Sequence, residues 1–228
     1  PILQGYGMTE ACIVCANRPE DNKVGSIGRP FEGIEMKIAE KDGEVLIRGR
    51  CVMLGYYNDA DATAQAIDPE GFYHTGDIGY TDTDGHFYIT DRLKDLFKLS
   101  NGKYIAPLQV ESLLKQSPLV GQAVVVGSGR KQVGVLIVPD WEALKEEMKA
   151  AGADVSRPRE ELAADPAFIK RVQKDAVALT AELSDYERVK RVALLPREFS
   201  IDKGEMTPTL KIKRSVVDEK YGSQIDEI

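Results

Sequence analysis

The first part of the chain, up to about residue 90, alternates hydrophobic and polar positions in short runs separated by glycine and aspartate. Two such runs occupy residues 33–38 and 43–49, and another at residues 87–89 follows the turn dipeptide Asp84-Gly85. Alternation with a period of two places every second side chain on one face of a strand, and Asp-Gly favours a tight hairpin turn. We therefore predict a small antiparallel sheet or distorted barrel in this region.

From about Leu93 the pattern changes, and a hairpin and a helix come first. Asn101-Gly102 separates two apolar runs and predicts a β-hairpin, because both residues tolerate positive φ. Pro107 then suits the first turn of a helix with apolar residues at helical spacing, which should end before Pro118.

Strands and helices continue to the end of the chain. Buried strands are predicted at residues 123–126, 133–138 and 188–195, and helices after Asp140, from Asp165-Pro166 onward and at residues 215–221. Asp140 and Asp165 suit the N-cap position, because a carboxylate accepts hydrogen bonds from the first free amides of a helix. The fold class expected for the whole chain is mixed α/β, with a β-rich first part and a small α+β second part.

Composition and charge limit the class of protein. The 228 residues are 43% hydrophobic and 29% charged, which suits one large domain or two small ones. A formal net charge of −7 argues against a nucleic-acid partner, which would need a basic face. We expect a cytoplasmic location, because the sequence has no bilayer-length apolar stretch, no basic and apolar leader, and only three cysteines.

Two glycine-containing segments carry candidate chemistry. Residues 4–10 combine two glycines, the ring of Tyr6, the hydroxyl of Thr9 and the carboxylate of Glu10. These groups could serve a nucleotide base, a phosphate and a Mg²⁺ ion. In the second segment, Asp77 beside a glycine could accept both hydroxyls of a ribose. Each segment alone is equally consistent with a glycine turn before a helix or with a turn cap.

Three further motifs have simpler interpretations beside a functional one. Cys12 and Cys15 have redox or zinc spacing, but no second pair completes a metal site, which favours buried free thiols. Residues 82–85 resemble the start of a calcium loop without its later ligands, which favours a hairpin turn. The basic run at residues 211–214 could bind the phosphates of coenzyme A or could be surface charge.

The order of the motifs is more specific than any one of them. The chain contains QGYGMTE at residues 4–10, GEVLIRG running to GYY at 43–57, YHTGD at 73–77, DRLKD at 91–95 and PTLKIKR at 208–214. This series resembles the adenylate-forming superfamily throughout, which includes acyl-CoA ligases, firefly luciferase and peptide-synthetase adenylation domains. The resemblance implies an enzyme that forms an acyl-adenylate from ATP and passes the acyl group to coenzyme A.

The resemblance also implies contacts to the nucleotide. They are expected from Gly5, Tyr6, Thr9, Asp77 and Arg92. Tyr6 would lie beside the adenine and Thr9 beside the α-phosphate. Asp77 and Arg92 would contact the ribose.

Three more residues are implied to act on the metal, the hinge and the reacting carboxylate. Glu10 would bind Mg²⁺, and Lys94 would be the hinge about which a mobile C-terminal lid turns between two half-reactions. Lys211 would be the catalytic lysine that bridges the acid carboxylate and the α-phosphate during adenylation. An ammonium suits that place, because the attack of one anion on another needs its repulsion screened.

Departures from the superfamily's usual motif pattern narrow the range of expected substrates. Leu210 stands where glycine commonly precedes the mobile lysine, and the hairpin at residues 99–103 is one residue longer than in short-acid relatives. With an inserted helical stretch at about residues 140–184, these features resemble the long-chain fatty acyl-CoA ligase branch. A ligase for aromatic or other acids, a luciferase-like enzyme and a carrier-protein-loading enzyme stay open. A non-catalytic nucleotide-binding or docking module stays open as well.

The resemblance assigns the chain to two domains and implies its cofactors and partners. Residues 1–92 match the C-terminal part of the large nucleotide-binding domain, and residues 93–228 match the small mobile lid. The family's phosphate loop and most of its acid pocket have no counterpart, so we expect a fragment that needs the N-terminal part of the large domain for activity. The expected cofactors are ATP, Mg²⁺ and coenzyme A. The expected partners are a fatty acid or other carboxylic acid and, peripherally, a membrane surface.

Overall fold

The computed structural model describes residues 2–228 and separates the chain into two compact units. The first unit is Pro1–Asp95 and the second is Leu96–Ile228. The motifs predict a boundary between residues 92 and 93, and the structure divides the chain between Asp95 and Leu96. Each unit has a hydrophobic core of its own.

The first unit is built from two antiparallel sheets. Its elements are β1 (Gly5–Met8), β2 (Cys12–Ala16), β3 (Arg29–Pro30), β4 (Ile34–Ile38), β5 (Glu44–Gly49), α1 (Ala60–Ala66), β6 (Tyr73–Thr81) and β7 (Phe87–Arg92), followed by a 3-10 turn at Leu93–Asp95. Strands β1-β2-β3 form one sheet and β4-β5-β6-β7 the other. The antiparallel sheet predicted for residues up to about 90 is therefore confirmed.

One hydrophobic core joins these two sheets. Val14 of β2, Val45 and Ile47 of β5, and Phe87 of β7 are buried together in it. Val45 and Ile47 are two residues apart, so they lie on the same face of β5. Full burial of one such side chain contributes about 1.5–3 kcal/mol to stability. The shared core thus holds the β1–β2 and β6–β7 hairpins, which carry candidate site residues, in one unit.

The sequence pattern does not predict the short helix α1. Its start is capped by Asp59, whose Oδ1 accepts a hydrogen bond from the Ala62 amide at 2.9 Å. Every residue of α1 is exposed or half-buried. The helix therefore has no apolar stripe of helical period, which is the signal on which the prediction of a helix depends.

The second unit places a three-stranded sheet between two layers of helices. Its elements are β8 (Phe97–Lys98), β9 (Tyr104–Ile105), α2 (Pro107–Leu114), β10 (Val120–Val126), β11 (Gly134–Pro139), α3 (Trp141–Ala150), α4 (Arg159–Ala163), α5 (Pro166–Leu179), β12 (Arg191–Leu194), α6 (Arg214–Lys220) and α7 (Gly222–Glu227). The central strand β11 is antiparallel to β10 and parallel to β12. The mixed α+β architecture predicted for this part is confirmed.

The two faces of this sheet explain the continuous apolar run of β11. Val135 and Ile137 pack into a core with α2, α3 and α5, whereas Leu136 and Val138 pack into a second core with α6 and α7. Successive side chains of a strand point to opposite faces, so a strand covered on both faces is apolar at every position.

Helix caps predicted from the sequence are present in the second unit. The Asp140 carboxylate accepts hydrogen bonds from the Glu142 and Ala143 amides, and Asp165 accepts one from the Ala167 amide. The helix predicted at residues 215–221 is α6, whereas α7 after Tyr221 was not predicted. The five-residue helix α4 is too short to show helical periodicity, so it was not predicted.

The Asn101-Gly102 hairpin also forms, but with a different turn. Phe97 pairs with Ile105, and Gly102 is the turn residue with positive φ, at +86°. The Gly102 amide donates to the Leu99 carbonyl at 2.9 Å. This is a three-residue loop with a left-handed third residue, in which Asn101 does not need the positive φ that a two-residue turn would require.

The helices of both units are short. The longest described helix, α5, has 14 residues. Spanning a bilayer takes about 20 consecutive apolar residues. Within residues 2–228, no helix has the length and apolar character that crossing a membrane requires.

Candidate functional site

The β1–β2 hairpin carries Tyr6, Thr9 and Glu10. Its pairing shifts register between Tyr6 and Gly7, and a Cβ added to Gly7 would lie 2.3 Å from the Cys12 carbonyl oxygen. Only glycine fits at that position. Thr9 and Glu10 occupy the turn, so the segment is a hairpin rather than a glycine turn before a helix.

Tyr6 lies beside open space on the β1–β2 hairpin. An open cavity of about 580 Å³ is lined by Gly5, Tyr6, Gly7, Met8, Cys12 and Ile13. The missing side chains of Gly5 and Gly7 make room for the backbone of β2, so the space for a flat ligand beside the Tyr6 ring is that of the open cavity itself. The cavity therefore has room for the stacking contact that the motif implies.

Tyr6, Asp77 and Arg92 form one hydrogen-bonded cluster. The Tyr6 hydroxyl donates to Asp77 Oδ2 at 2.5 Å, and Arg92 Nε donates to Asp77 Oδ1 at 2.8 Å. Asp77 and Arg92 are register partners across β6 and β7, whereas Tyr6 comes from β1 in the other sheet. The cluster thus joins two hairpins of the first unit around a carboxylate that is 5% exposed.

The protonation of Tyr6 is set by these surroundings. Burial, followed by the hydrogen bond to Asp77 and the negative charge of Asp77, raises the pKa of Tyr6 far above its ordinary value. The phenol therefore stays protonated and remains a donor. Each carboxylate oxygen has two acceptor positions. Asp77 can accordingly accept hydroxyl donors from a ligand while it keeps Tyr6 and Arg92.

A buried carboxylate that the motifs did not single out holds the turn before Asp77. Glu44 is 5% exposed; its Oε1 accepts the Gly76 amide at 2.7 Å, and its Oε2 lies 2.8 Å from His74 Nδ1. The Asp77 amide in turn donates to the Thr75 hydroxyl at 3.0 Å. Glu44 therefore positions the turn that presents Asp77. The available sequence signal was an acidic residue inside a predicted strand.

Glu10 lies beside two tyrosines. The Tyr56 hydroxyl donates to Glu10 Oε1 at 3.1 Å, and the Met53 amide donates to the Glu10 carbonyl at 2.7 Å. Burial, followed by a hydrogen bond with Tyr56 and the charge of Glu10, raises the pKa of Tyr73 well above its ordinary value. Tyr56 connects the turn of the first hairpin to the loop after β5, and its role was not predicted.

Glu10 supplies a single carboxylate to any cation. Among residues 2–228, no group of three or more histidine, cysteine, aspartate and glutamate side chains is arranged to hold a metal ion. Mg²⁺ is commonly held by one or two carboxylates together with water and substrate phosphates. The half-exposed Glu10 fits that mode of binding, in which the nucleotide brings most of the ligands.

The apparent calcium loop is a hairpin turn. The Gly85 amide donates to the Asp82 carbonyl at 3.0 Å, which closes the turn between β6 and β7. The Lys23 ammonium lies 2.6 Å from Asp82 and 2.8 Å from Asp84. A lysine thus neutralises the two carboxylates that a cation would need, and the prediction of a hairpin turn is confirmed.

The cysteine pair of β2 is divided between solvent and core. Cys12 is exposed, whereas Cys15 is buried and burial raises the pKa of its thiol to about 12. Within the described residues, both cysteines are free thiols. A thiol with so high a pKa is neither a good nucleophile nor a good metal ligand. The prediction of a free thiol holds for both residues, and that of burial holds only for Cys15.

The end of the first unit carries Arg92 and Lys94. Lys94 is exposed in the 3-10 turn Leu93–Asp95, directly before the division of the chain. Thr75, Gly76, Arg92, Leu93 and Lys94 line an open cavity of about 310 Å³. This cavity lies beside the Asp77 turn and within the first unit.

Lys211 lies in the second unit at the end of a tight hairpin, which we call the Lys211 hairpin (residues 206–212). Met206 and Ile212 form its β-bridge, and the Thr207 amide donates to the Lys211 carbonyl at 2.8 Å. The Leu210 amide closes the turn on the Thr207 carbonyl at 2.9 Å. Lys211 itself is exposed, so its ammonium is presented to solvent from a backbone held by these bonds.

The conformation of Leu210 is one that glycine adopts more readily than leucine. Its φ is +60°, in the left-handed region that an L-residue with a side chain enters at a cost of about 1–2 kcal/mol. The Leu210 side chain is 68% exposed and so contributes little packing in return. Strain at the turn is therefore tolerated without compensation from the core.

Replacing Leu210 with glycine is expected to stabilise the second unit. Relief of the left-handed strain should exceed the entropic cost of glycine and raise the free energy of unfolding by about 1 kcal/mol. The measurement is urea unfolding of wild type, Leu210→Gly and the control Leu210→Ala, which removes the same side chain but keeps the strain. A Leu210→Gly variant no more stable than Leu210→Ala would contradict this explanation.

The chain matches two family models over most of its length. Residues 1–57 match the AMP-binding enzyme family, and residues 94–228 match the AMP-binding enzyme C-terminal domain. The first match contains Tyr6 and Glu10, and the second contains Lys211. Asp77 and Arg92 lie between the two matched ranges.

The curated relatives include fatty-acid ligases. A long-chain-fatty-acid–CoA ligase of Mycobacterium bovis is 38% identical over the whole chain, and the human long-chain-fatty-acid–CoA ligase 1 is 36% identical over 99% of it. The chain spans 38% of the length of the first and 34% of the second.

Solved structures agree with the family matches. The A domain of a carboxylic acid reductase from Segniliparus rugosus, in complex with AMP and a co-purified carboxylic acid, is 26% identical with a TM-score of 0.72, over 99% of this chain and 34% of that one. An O-succinylbenzoate coenzyme A synthetase from Bacillus subtilis in complex with AMP is 27% identical with a TM-score of 0.67, over 94% and 40%. The chain thus belongs to the AMP-binding enzymes, with residues 94–228 forming the family's C-terminal domain.

Proposed function

We propose that this chain is the C-terminal part of an AMP-forming long-chain fatty acid–CoA ligase. In the first half-reaction a carboxylate oxygen of the acid attacks the α-phosphorus of ATP, and pyrophosphate leaves. In the second, the thiolate of coenzyme A attacks the acyl carbon of the adenylate, and AMP leaves. The fatty-acid preference rests on relatives at 36–38% identity whose names give that substrate.

The observation that carries the proposal is the Tyr6–Asp77–Arg92 cluster. A carboxylate that is buried, held by two donors and adjacent to an open turn suits the recognition of the two hydroxyls of a ribose. Arg92 has an exposed side chain beside it and can reach a bound nucleotide. The ring of Tyr6 would then contact the adenine, while the Tyr6 hydroxyl keeps its hydrogen bond to Asp77.

The hairpin turn would face the phosphates. Thr9 is exposed at that turn and can donate its hydroxyl to the α-phosphate, and Glu10 next to it can hold Mg²⁺. When bound, the ion would neutralise charge on the triphosphate. Tyr56 orients the Glu10 carboxylate through its hydrogen bond, which is a way to keep a metal ligand in place.

Lys211 would act in the first half-reaction. Its compact ammonium, set between the acid carboxylate and the α-phosphate, would reduce the repulsion between two anions and stabilise charge as the new bond forms. Lys94, exposed next to the division of the chain, would be the hinge that brings the C-terminal domain to the nucleotide for one half-reaction and removes it for the other.

Product analysis of the intact enzyme tests this proposal. Purified enzyme, ATP, Mg²⁺ and coenzyme A are incubated with palmitate, acetate or benzoate in turn, and AMP and acyl-CoA are quantified by mass spectrometry. We expect AMP and acyl-CoA in equal amounts, with palmitate the best substrate by about 10-fold or more, because each buried methylene of a matching pocket adds about 0.8 kcal/mol. Formation of ADP, or no acid-dependent AMP, would contradict the proposal, and a preference for benzoate would redirect it to aromatic acids.

A further inference from the structure

Glu205 is a fully buried carboxylate close to Lys211 in sequence. It is 0% exposed. Arg197 binds both of its oxygens, with Nη2 donating to Oε1 at 2.9 Å and Nη1 donating to Oε2 at 3.1 Å. The Ser200 amide donates to Oε2 at 3.1 Å, and the Tyr221 hydroxyl donates to Oε1 at 3.0 Å. Four hydrogen bonds therefore hold one side chain.

The backbone of Glu205 begins the Lys211 hairpin. Its carbonyl accepts the Lys213 amide at 2.8 Å, directly outside the bridge between Met206 and Ile212. Met206 and Ile212 also pack against the hydrophobic core beneath α6 and α7. The base of the hairpin is thus fixed by the Glu205 side chain on one strand and by a backbone bond to the other.

A second ion pair holds the chain after the hairpin. Arg214 Nη2 donates to Glu111 Oε2 at 2.9 Å, and Glu111 Oε1 accepts the Val125 amide at 2.8 Å. Arg214 therefore ties the start of α6 to α2 and β10. Each strand that leads to the exposed tip thus ends next to an ion pair whose carboxylate is buried, Glu205 on one side and Glu111 on the other. The direction in which Lys211 points depends on these two pairs.

We propose that Glu205 is a positioning residue for Lys211, holding the Lys211 hairpin in the one orientation that suits adenylation. This inference rests on the proposed function, because it assumes that Lys211 acts in the first half-reaction. Glu205 would not touch the substrate. It would act through the backbone that carries the lysine.

The interactions of Glu205 are those of a charged group. Burial alone opposes its ionisation, but the hydrogen bonds from Arg197, Ser200 and Tyr221 outweigh burial and lower the pKa of Glu205 to about 2. The carboxylate is therefore ionised at neutral pH, and its bonds to Arg197 are charge-assisted and bidentate. Such pairs fix geometry more strongly than neutral ones do.

The test compares two variants in the intact enzyme. Glu205→Gln keeps the size of the side chain and removes its charge, and Tyr221→Phe removes one donor while keeping the ring. Single-turnover rates are measured for adenylate formation from acid and ATP and for thioester formation from supplied acyl-adenylate and coenzyme A. Asp175→Asn is the matched control, because Asp175 is another carboxylate held by two side chains of the same unit, Ser117 and Arg171.

We expect Glu205→Gln to slow adenylate formation on the order of 10-fold, because a small displacement of a catalytic group has effects of this size. Tyr221→Phe should slow it by a smaller factor in the same direction. Thioester formation should stay within about twofold of wild type for both variants, and the control should change neither rate by more than that. In a Lys211→Ala background, Glu205→Gln should cause no further loss, since residues that act through one another are not additive.

Three results would overturn the inference. They are an equal loss in both half-reactions, no loss in adenylate formation from a folded Glu205→Gln enzyme, and a full additional loss in the Lys211→Ala background. Each of these leaves the proposed function in place, provided that Lys211→Ala alone slows adenylation. If Lys211→Ala alone has no effect, the proposed role of Lys211 fails first and the inference fails with it.

Discussion

Replacing Lys211 with alanine in the intact enzyme is expected to slow adenylate formation about 100-fold or more, the scale of losing one pre-positioned electrostatic stabiliser. Thioester formation from supplied acyl-adenylate should remain nearly normal, because no second anion approaches the α-phosphate in that step. The measurement is a pair of single-turnover experiments, one from acid plus ATP and one from acyl-adenylate plus coenzyme A.

Two control variants test whether the effect is specific to the ammonium group of Lys211. Lys211→Arg keeps the positive charge but should not restore the rate, because a planar guanidinium cannot take the place of a compact ammonium between two anions. Lys174→Ala removes an exposed lysine of α5 in the same unit and should leave both steps unchanged. Equal losses in the two half-reactions, or none in either, would show that Lys211 does not act on adenylation alone.

Replacing Asp77 with asparagine is expected to lower kcat/KM for ATP about 10- to 100-fold, since hydrogen bonds to a charged group contribute about 1.5–3 kcal/mol. The amide keeps the shape of the carboxylate but turns one acceptor into a donor, which must then face either Tyr6 or Arg92. KM for the acid should change little, because the cluster is proposed to hold the nucleotide.

The matched control for Asp77 is Asp84→Asn in the first unit. Asp84 is an exposed carboxylate paired with Lys23 in the β6–β7 turn, and it lies outside the cluster. Its replacement should leave kcat/KM for ATP unchanged. The affinities of both variants for ATP, and for AMP as a second ligand, are measured by titration calorimetry. The proposed ribose contact is wrong if Asp77→Asn binds ATP as tightly as Asp84→Asn does.

Elements with strong local signals were predictable from the sequence. The apolar run of β11 and the capped helices α3 and α5 agree with their sequence patterns. A strand that is buried on both faces needs an apolar residue at every position, and an N-cap needs a side chain that accepts a hydrogen bond. The helices α1, α4 and α7 were not predicted, because α1 lacks an apolar stripe and α4 and α7 have only five and six residues.

The candidate site was predictable only as far as its motifs extend. The motif order implies Tyr6, Asp77 and Arg92 as nucleotide contacts, and the structure brings these three side chains together across 71 and 15 positions of sequence. Their proposed roles stay predictions. Glu44 and Glu205 were not predicted, because the burial of a carboxylate depends on partners that only the folded backbone assembles.

The fate of the carboxylate oxygens tests the central claim most directly. A fatty acid labelled with a heavy oxygen isotope at both carboxylate positions is converted by the intact enzyme with ATP, Mg²⁺ and coenzyme A, and the nucleotide product is examined by mass spectrometry. Attack of the carboxylate on the α-phosphorus leaves that oxygen on the phosphate when the thiol displaces AMP, so AMP should carry a single labelled oxygen. Unlabelled AMP, or label in inorganic phosphate together with ADP, would contradict an acyl-adenylate pathway.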